Sequence, residues 1–263
     1  MFVRETMIDL HCHLLPGIDD GPRTWGESID LCRAMVDDGI TRAITTPHLI
    51  DGVYENTLQV TRPLVAELRQ RLGDNGICLD VDAAAEIDIS SRFVSGDGSD
   101  IPTLCGTAAL LEMPVAVIPH AMERILFAVR SRSLLPVLAH PERNHLVQEN
   151  PEVVASWVEL GAILQLDAES LLGLWGKSAQ RCAEQLLMKG IVGVVASDSH
   201  SCRKRPPRMS AAAARTRALL GDFASHMFTA TPAAILSGQF RDLPNLERDP
   251  ARSRSFFGRL WKR

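Results

Sequence analysis

Seven short apolar runs recur along this 263-residue chain, at residues 7–11, 40–46, 77–85, 107–111, 135–139, 162–166 and 191–196. Between most of them the periodicity turns helical. Helices are expected over 25–38, stopped by Gly39, and over 57–72, closed by Gly73 and the Asp74-Asn75-Gly76 turn. Four more are expected at 119–131, near 151–160, at 177–189 and at 208–220. Strands that alternate with helices pair in parallel through right-handed crossovers, so the chain reads as α/β. Apolar strands that a helix can each cover fit a distorted seven-stranded (β/α) barrel better than an open sheet. No linker rich in Pro, Gly or Ser interrupts the pattern, and residues 1–243 are expected to form one domain.

The ends of these strands carry ligand chemistry. The first run delivers His11 and His13, which lie two apart and therefore share one face of a strand, with Cys12 on the other. Alone, such a pair serves equally well as a polar strand end. His48 follows the second run, Glu86 the third, Glu112 the fourth, His140 the fifth, and Asp198 and His200 the seventh. Asp20 sits in the Pro/Gly loop after the first. In a β/α barrel, functional groups collect where the strands end. Six strand ends out of seven doing so together points to a multinuclear metal site. Imidazole and carboxylate without thiolate suit Zn²⁺, Mn²⁺ or Fe²⁺. Nine ligands exceed what one ion uses, and two or three ions bridged by a carboxylate would absorb them. Such clusters activate water and clamp attacking and leaving oxygens at phosphorus. Arg143 and Arg205 lie close by in the sequence, and a planar guanidinium grips phosphate oxygens bidentately.

Composition narrows the alternatives. A net charge of −4 offers no basic field for nucleic acid. Six cysteines without a C-x-x-C pair suit reduced thiols in a cytoplasmic protein. No run approaches the roughly 20 apolar residues that span a bilayer, and residues 1–6 lack the apolar core of a signal peptide. Residues 244–263 differ: Arg248, Arg252, Arg254, Arg259, Lys262 and Arg263 surround Phe256, Phe257, Leu260 and Trp261. As a helix this basic amphipathic tail would suit an anionic membrane surface or an acidic partner; otherwise it is a solvated terminus. Cys202 and Arg208 stand in a C-x5-R spacing, but Pro206 and Pro207 remove two backbone donors that a cysteine phosphatase loop needs. That spacing is read as accidental.

The motifs M-I-D-L-H-C-H-L-L-P-G-I-D-D-G, T-T-P-H, A-E-I-D, L-L-E-M, L-A-H-P-E-R and A-S-D-S-H…R-P-P occur in order from residue 7. This set resembles the polymerase-and-histidinol-phosphatase (PHP) superfamily, and within it the bacterial manganese-dependent protein-tyrosine phosphatases of capsule and exopolysaccharide operons. The resemblance implies a distorted seven-stranded barrel and three metal ions, most readily Mn²⁺. His11, His13, Glu86 and Asp198 would hold the first. Glu86 as a bridge, Glu112 and His140 would hold the second; Asp20, His48 and His200 the third. Arg143 and Arg205 would grip the phosphate of a phosphotyrosine protein, implied to be a membrane-associated tyrosine kinase, and a metal-bound hydroxide would attack it. The setting implied is the cytoplasm, at the inner face of the membrane. Glu112 stands where several other PHP branches have histidine, which favours the tyrosine-phosphatase branch. The competing readings are a phosphoesterase for a small metabolite such as histidinol phosphate, a nuclease, and a non-catalytic metal-stabilised regulatory module.

Overall fold

The structure, a computed structural model, describes residues 6–90 and 102–239; the basic tail lies outside the described residues. Strands are β1 (Met7–Cys12), β2 (Ile40–Thr45), β3 (His48–Ile50), β4 (Tyr54–Glu55), β5 (Asp80–Ala83), β6 (Glu86–Asp88), β7 (Ala108–Glu112), β8 (Leu135–Ala139), β9 (Ile163–Asp167) and β10 (Val192–Ala196). The helices are α1 (Trp25–Asp38), α2 (Leu58–Asp74), α3 (Met122–Ser131), α4 (His145–Glu149), α5 (Val153–Glu159), α6 (Ala168–Leu171), α7 (Lys177–Lys189), α8 (Met209–Leu220) and α9 (Ala230–Ser237). Helix α1 begins where Thr24 accepts from the Glu27 amide and ends at Gly39, whose φ of 98° suits a residue without Cβ.

The fold is mixed α/β with parallel sheets. β1, β2 and β5 form one sheet; the other runs β10-β9-β8-β7-β6-β3, with the short β4 antiparallel at its edge. The second and third expected strands appear as β2 and β5, and each is followed, past a break, by a short further strand, β3 and β6. Pro47 lacks an N–H, so the β2 ladder stops before it. Beyond the break the chains stay adjacent: Ala84 N donates to Thr45 O at 2.9 Å, and Glu86 N to Thr46 O at 3.3 Å. The continuous segments β2–β3 and β5–β6 thus pass from one sheet to the other. On the far side, Asp198 N donates to His11 O at 2.8 Å and His13 N to Ser199 O at 2.9 Å, setting the end of β1 beside the chain leaving β10.

Two apolar clusters result. The larger lies between strands and helices. The smaller gathers Leu10, Ile44, Leu110, Val137 and Val194 from five strands, with Ile235 and Leu236 of α9 packed against them. Truncating one of its leucines to alanine costs about 3 kcal/mol, the usual size for a fully buried site. Leu10 belongs to the inner cluster and Cys12 to the outer, so strict alternation fails between them. The register of β1 against β2 shifts there, between Asp9 and Cys12. An irregularity of this kind re-aims side chains. Among the described residues no helix is long and apolar enough to cross a membrane.

Candidate metal centre

The strand ends converge. Ligand atoms of His11, His13, Glu86 and Asp198 all lie within 4.8 Å of one another, as do those of His13, Asp20, His48 and His200, and those of His48, Glu86 and Glu112. His140 Nε2 lies 2.8 Å from Glu86 Oε1 and 3.8 Å from Glu112 Oε1. All nine residues proposed from the sequence therefore belong to one cluster. His13 and His48 each stand between two of its groups, a sharing that the strict three-way division does not contain. Most of these side chains are buried; Asp20 is the half-exposed member.

Several imidazoles are held in a definite orientation. His11 Nδ1 donates to Gln165 Oε1 at 2.9 Å, His13 Nδ1 to Asp19 Oδ2 at 2.7 Å, and His200 Nδ1 to the Asp198 carbonyl at 2.9 Å. Each leaves Nε2 turned toward the cluster, the arrangement in which outer carboxylates and carbonyls fix metal-binding histidines. Two buried ligand-type atoms, Glu86 Oε2 and His48 Nδ1, have no hydrogen-bond partner although they lie 3.0 Å apart. Orphaned buried polar atoms are rare. Here they fit a shared divalent cation, which both could ligate.

Electrostatics agrees with that donor set. Burial opposes charge on Glu86 and Asp198, yet His11 beside both holds the two carboxyls well below their usual range. Burial likewise opposes protonation of His11 and His13, and the surrounding carboxylates overcome it, so both are raised. His48 is pushed up to about 10, as Asp20 and Glu86 outweigh burial. Glu112 rises to about 7 through burial and its neighbour Glu86. Concentrated buried negative charge of this kind attracts cations. Backbone strain marks the same place: His140 at φ 30° and Asp198 at φ 48° both lie in the left-handed region. Such residues cost about 1–3 kcal/mol each and cluster at functional sites.

Beside the cluster, Arg143 Nη1 donates to Asp198 Oδ2 at 2.7 Å, and Arg205 Nη2 donates to the same oxygen. Trp175 lies under both, its ring centroid 3.9 Å from the Arg143 guanidinium carbon and 5.2 Å from that of Arg205. Tyr54 stacks near His48 with ring centroids 5.8 Å apart, and Asn56 donates to the carbonyls of Ile18 and His48, so that loop borders the cluster. Cys202 is exposed with its thiol pushed up, by burial and then Asp30, and Arg208 is paired with Glu169 at 3.1 Å. Neither feature suits a thiolate nucleophile.

The model of the capsular polysaccharide synthesis family CpsB/CapC matches residues 7–237. This chain belongs to the CpsB/CapC family. Tyrosine-protein phosphatase YwqE of Bacillus subtilis (strain 168) is 33% identical over 256 residues, 96% of this chain and 99% of YwqE. Tyrosine-protein phosphatase CpsB of Streptococcus pneumoniae is 26% identical over 213 residues, 78% of this chain and 88% of that protein. Among solved structures, one described with YwqE and CpsB as unique metal-dependent tyrosine phosphatases matches at TM-score 0.81 and 32% identity, covering 88% of this chain and 95% of that one. A mutant organophosphorus hydrolase of Deinococcus radiodurans matches at TM-score 0.51 and 11% identity, a likeness of fold alone. The family agrees with the branch that the motifs resemble.

Four residues that contact the cluster or its two arginines are not among those proposed from the sequence. Asp9 accepts from the Ser197 amide at 3.0 Å and from its hydroxyl, fixing the turn that carries Asp198. Asp19 and Gln165 orient histidines, and Trp175 carries the arginines. Only Asp19 had a local signal, its place beside Asp20.

Proposed function

We propose that this CpsB/CapC chain is a metal-dependent protein-tyrosine phosphatase acting on a phosphotyrosine protein of capsule or exopolysaccharide synthesis. The observation that carries the reading is the convergence of Arg143 and Arg205 on Asp198 Oδ2, at the edge of the histidine–carboxylate cluster. Two guanidinium forks beside a cation site are a phosphoryl-binding arrangement. The tyrosine-protein phosphatases YwqE and CpsB, to which the chain is similar, support it.

His11, His13, Glu86 and Asp198 would hold one ion; Glu86, Glu112 and His140, with His48 beside them, a second; Asp20, His48 and His200, with His13, a third. Mn²⁺ is the metal proposed, with Zn²⁺ or Fe²⁺ compatible with the same ligands. Divalent ions in such a site lower the pKa of water and neutralise charge at phosphorus. Arg143 and Arg205 turn their remaining donors to the non-bridging oxygens and stabilise the charge that builds there. A tyrosine phenolate, with a pKa of about 10, leaves with little protonation. Trp175 and Leu174 after β9, and Val115 and Val117 after β7, leave exposed apolar surface on loops that follow strand ends. Such a rim favours an aryl group on a protein over a small polar metabolite.

The strands of both sheets close into a distorted seven-stranded barrel around the inner apolar cluster. Residues 1–243 form one domain, and the partner is a membrane-associated tyrosine kinase met in the cytoplasm, with the tail touching the membrane face. The test compares purified, metal-analysed protein on a phosphotyrosine peptide, histidinol phosphate and a phosphodiester. Preference for the peptide supports the reading; preference for histidinol phosphate or the diester overturns it.

A further inference from the structure

We infer that Trp175 is a positioning residue that aims Arg143 and Arg205, which rests on their proposed role as the phosphate-binding pair. Both guanidiniums sit over one indole, at 3.9 and 5.2 Å, although they come from separate loops after β8 and β10. An aromatic face holds a guanidinium without using any of its N–H groups. Asp198 takes one donor from each arginine, and Arg205 also directs Nη1 to His200 Nε2 at 3.0 Å. Asp167 Oδ2 lies 3.7 Å from the same Nη1 of Arg143. Among the described residues no hydrogen bond takes Nε or Nη2 of Arg143 or Nε of Arg205, and these donors, in the guanidinium planes, can face phosphoryl oxygens. A hydrogen-bonding support in place of the ring would have consumed them.

The indole is itself held in place. It occupies the turn Gly173-Leu174-Trp175-Gly176, where both glycines have positive φ, 79° and 90°. Leu174 N donates to Glu169 O at 2.9 Å and Gly173 N to Ser170 O at 3.0 Å, tying the turn to α6. A Cβ on Gly173 would come within 2.9 Å of Gln180 Oε1, so α7 also packs closely against it. Trp175 keeps 39% of its surface exposed, at the mouth of the cluster rather than in the core. A large aromatic left half in water has a reason to be there when it carries two cations that must face a ligand.

The test uses full-length, metal-loaded protein and inorganic phosphate as the probe, with metal content measured for every variant. Trp175→Phe keeps an aromatic face, Trp175→Leu keeps apolar bulk without one, and Trp175→Ala removes both. Calorimetric titration should give phosphate affinity within about threefold of wild type for Trp175→Phe. For Trp175→Leu and Trp175→Ala it should fall roughly tenfold, the factor one cation–π contact is worth. With p-nitrophenyl phosphate the loss should appear mainly in KM. In an Arg143→Ala/Arg205→Ala background, adding Trp175→Ala should cost nothing more, because the ring acts only through the arginines. Wild-type phosphate affinity in Trp175→Leu, or an undiminished loss in that background, overturns the inference alone. A wild-type protein that binds no phosphate overturns the functional reading and this inference with it.

Discussion

Asp19 accepts a hydrogen bond from Nδ1 of His13 at 2.7 Å, while its other oxygen accepts from the Gly21 amide at 2.9 Å. The carboxylate is thereby locked behind the imidazole, and Nε2 points into the cluster. Gly21 is required by close approach: a Cβ there would lie 2.9 Å from Asp19 Oδ1 and 3.0 Å from the Cβ of His13. Replacing Asp19 by alanine should lower metal affinity by about 10–100-fold, the usual loss for a partner that orients a ligand. Gly21→Ala should act in the same direction. Competition against a fluorescent chelator reads both, and unchanged affinity in Asp19→Ala would show that the hydrogen bond orients nothing.

Asp9 should matter to stability more than to chemistry. It is fully buried and accepts from the amide and hydroxyl of Ser197 and from the His11 amide. Asp9→Ala leaves buried donors without partners, at about 1–3 kcal/mol each. Urea unfolding of the variant should give a loss of roughly 3 kcal/mol, and a loss below about 1 kcal/mol would show that these buried bonds do little for the fold.

Much of this architecture was legible in the sequence because buried strands are short apolar runs, and a His, Glu or Asp closing such a run stands out. The turn at Gly39 and the helix from Trp25 were readable for the same local reason. The breaks at Thr46-Pro47 and Ala84-Ala85 were not, since they depend on which neighbour each amide pairs with. The re-aiming of Cys12 relative to Leu10 is likewise a register effect, between the strands β1 and β2. Gln165 looked like any polar residue inside a strand, and its value appears only when β9 is set beside β1. Trp175 sat in a glycine-framed turn that no periodicity marks. Helix α6 spans one turn, too short for a period to show.

Metal uptake should release protons. The metal-binding form of histidine is neutral, whereas carboxylate neighbours raise His11, raise His13 well above the usual imidazole range and push His48 up to about 10, so that His48 is held protonated. His48's folded pKa lies above its unfolded value. Its contribution to the stability of the chelated protein is therefore full below about pH 6.5 and is lost as the pH rises toward 10. Calorimetry of Mn²⁺ binding at pH 7.5 in buffers of different ionisation enthalpy should report release of at least one proton. Heats independent of the buffer would contradict it.

Cys202→Ser should leave turnover within about twofold of wild type. The thiol is exposed, is pushed up rather than down, and has no part in the cluster. Complete loss of p-nitrophenyl phosphate hydrolysis with metal content intact would reinstate a cysteine mechanism.

Eight side chains from six strand ends, with Asp20 from the loop after β1, are proposed to form a metal centre that hydrolyses phosphotyrosine. The most direct test is the rate of phosphate release from a phosphotyrosine peptide by one preparation before chelation, in excess chelator, and after Mn²⁺ is restored. Activity should be abolished by the chelator and recovered with the metal, and should be absent throughout in Asp198→Asn, a substitution whose left-handed backbone asparagine tolerates. Undiminished phosphate release in excess chelator would contradict the proposed metal centre.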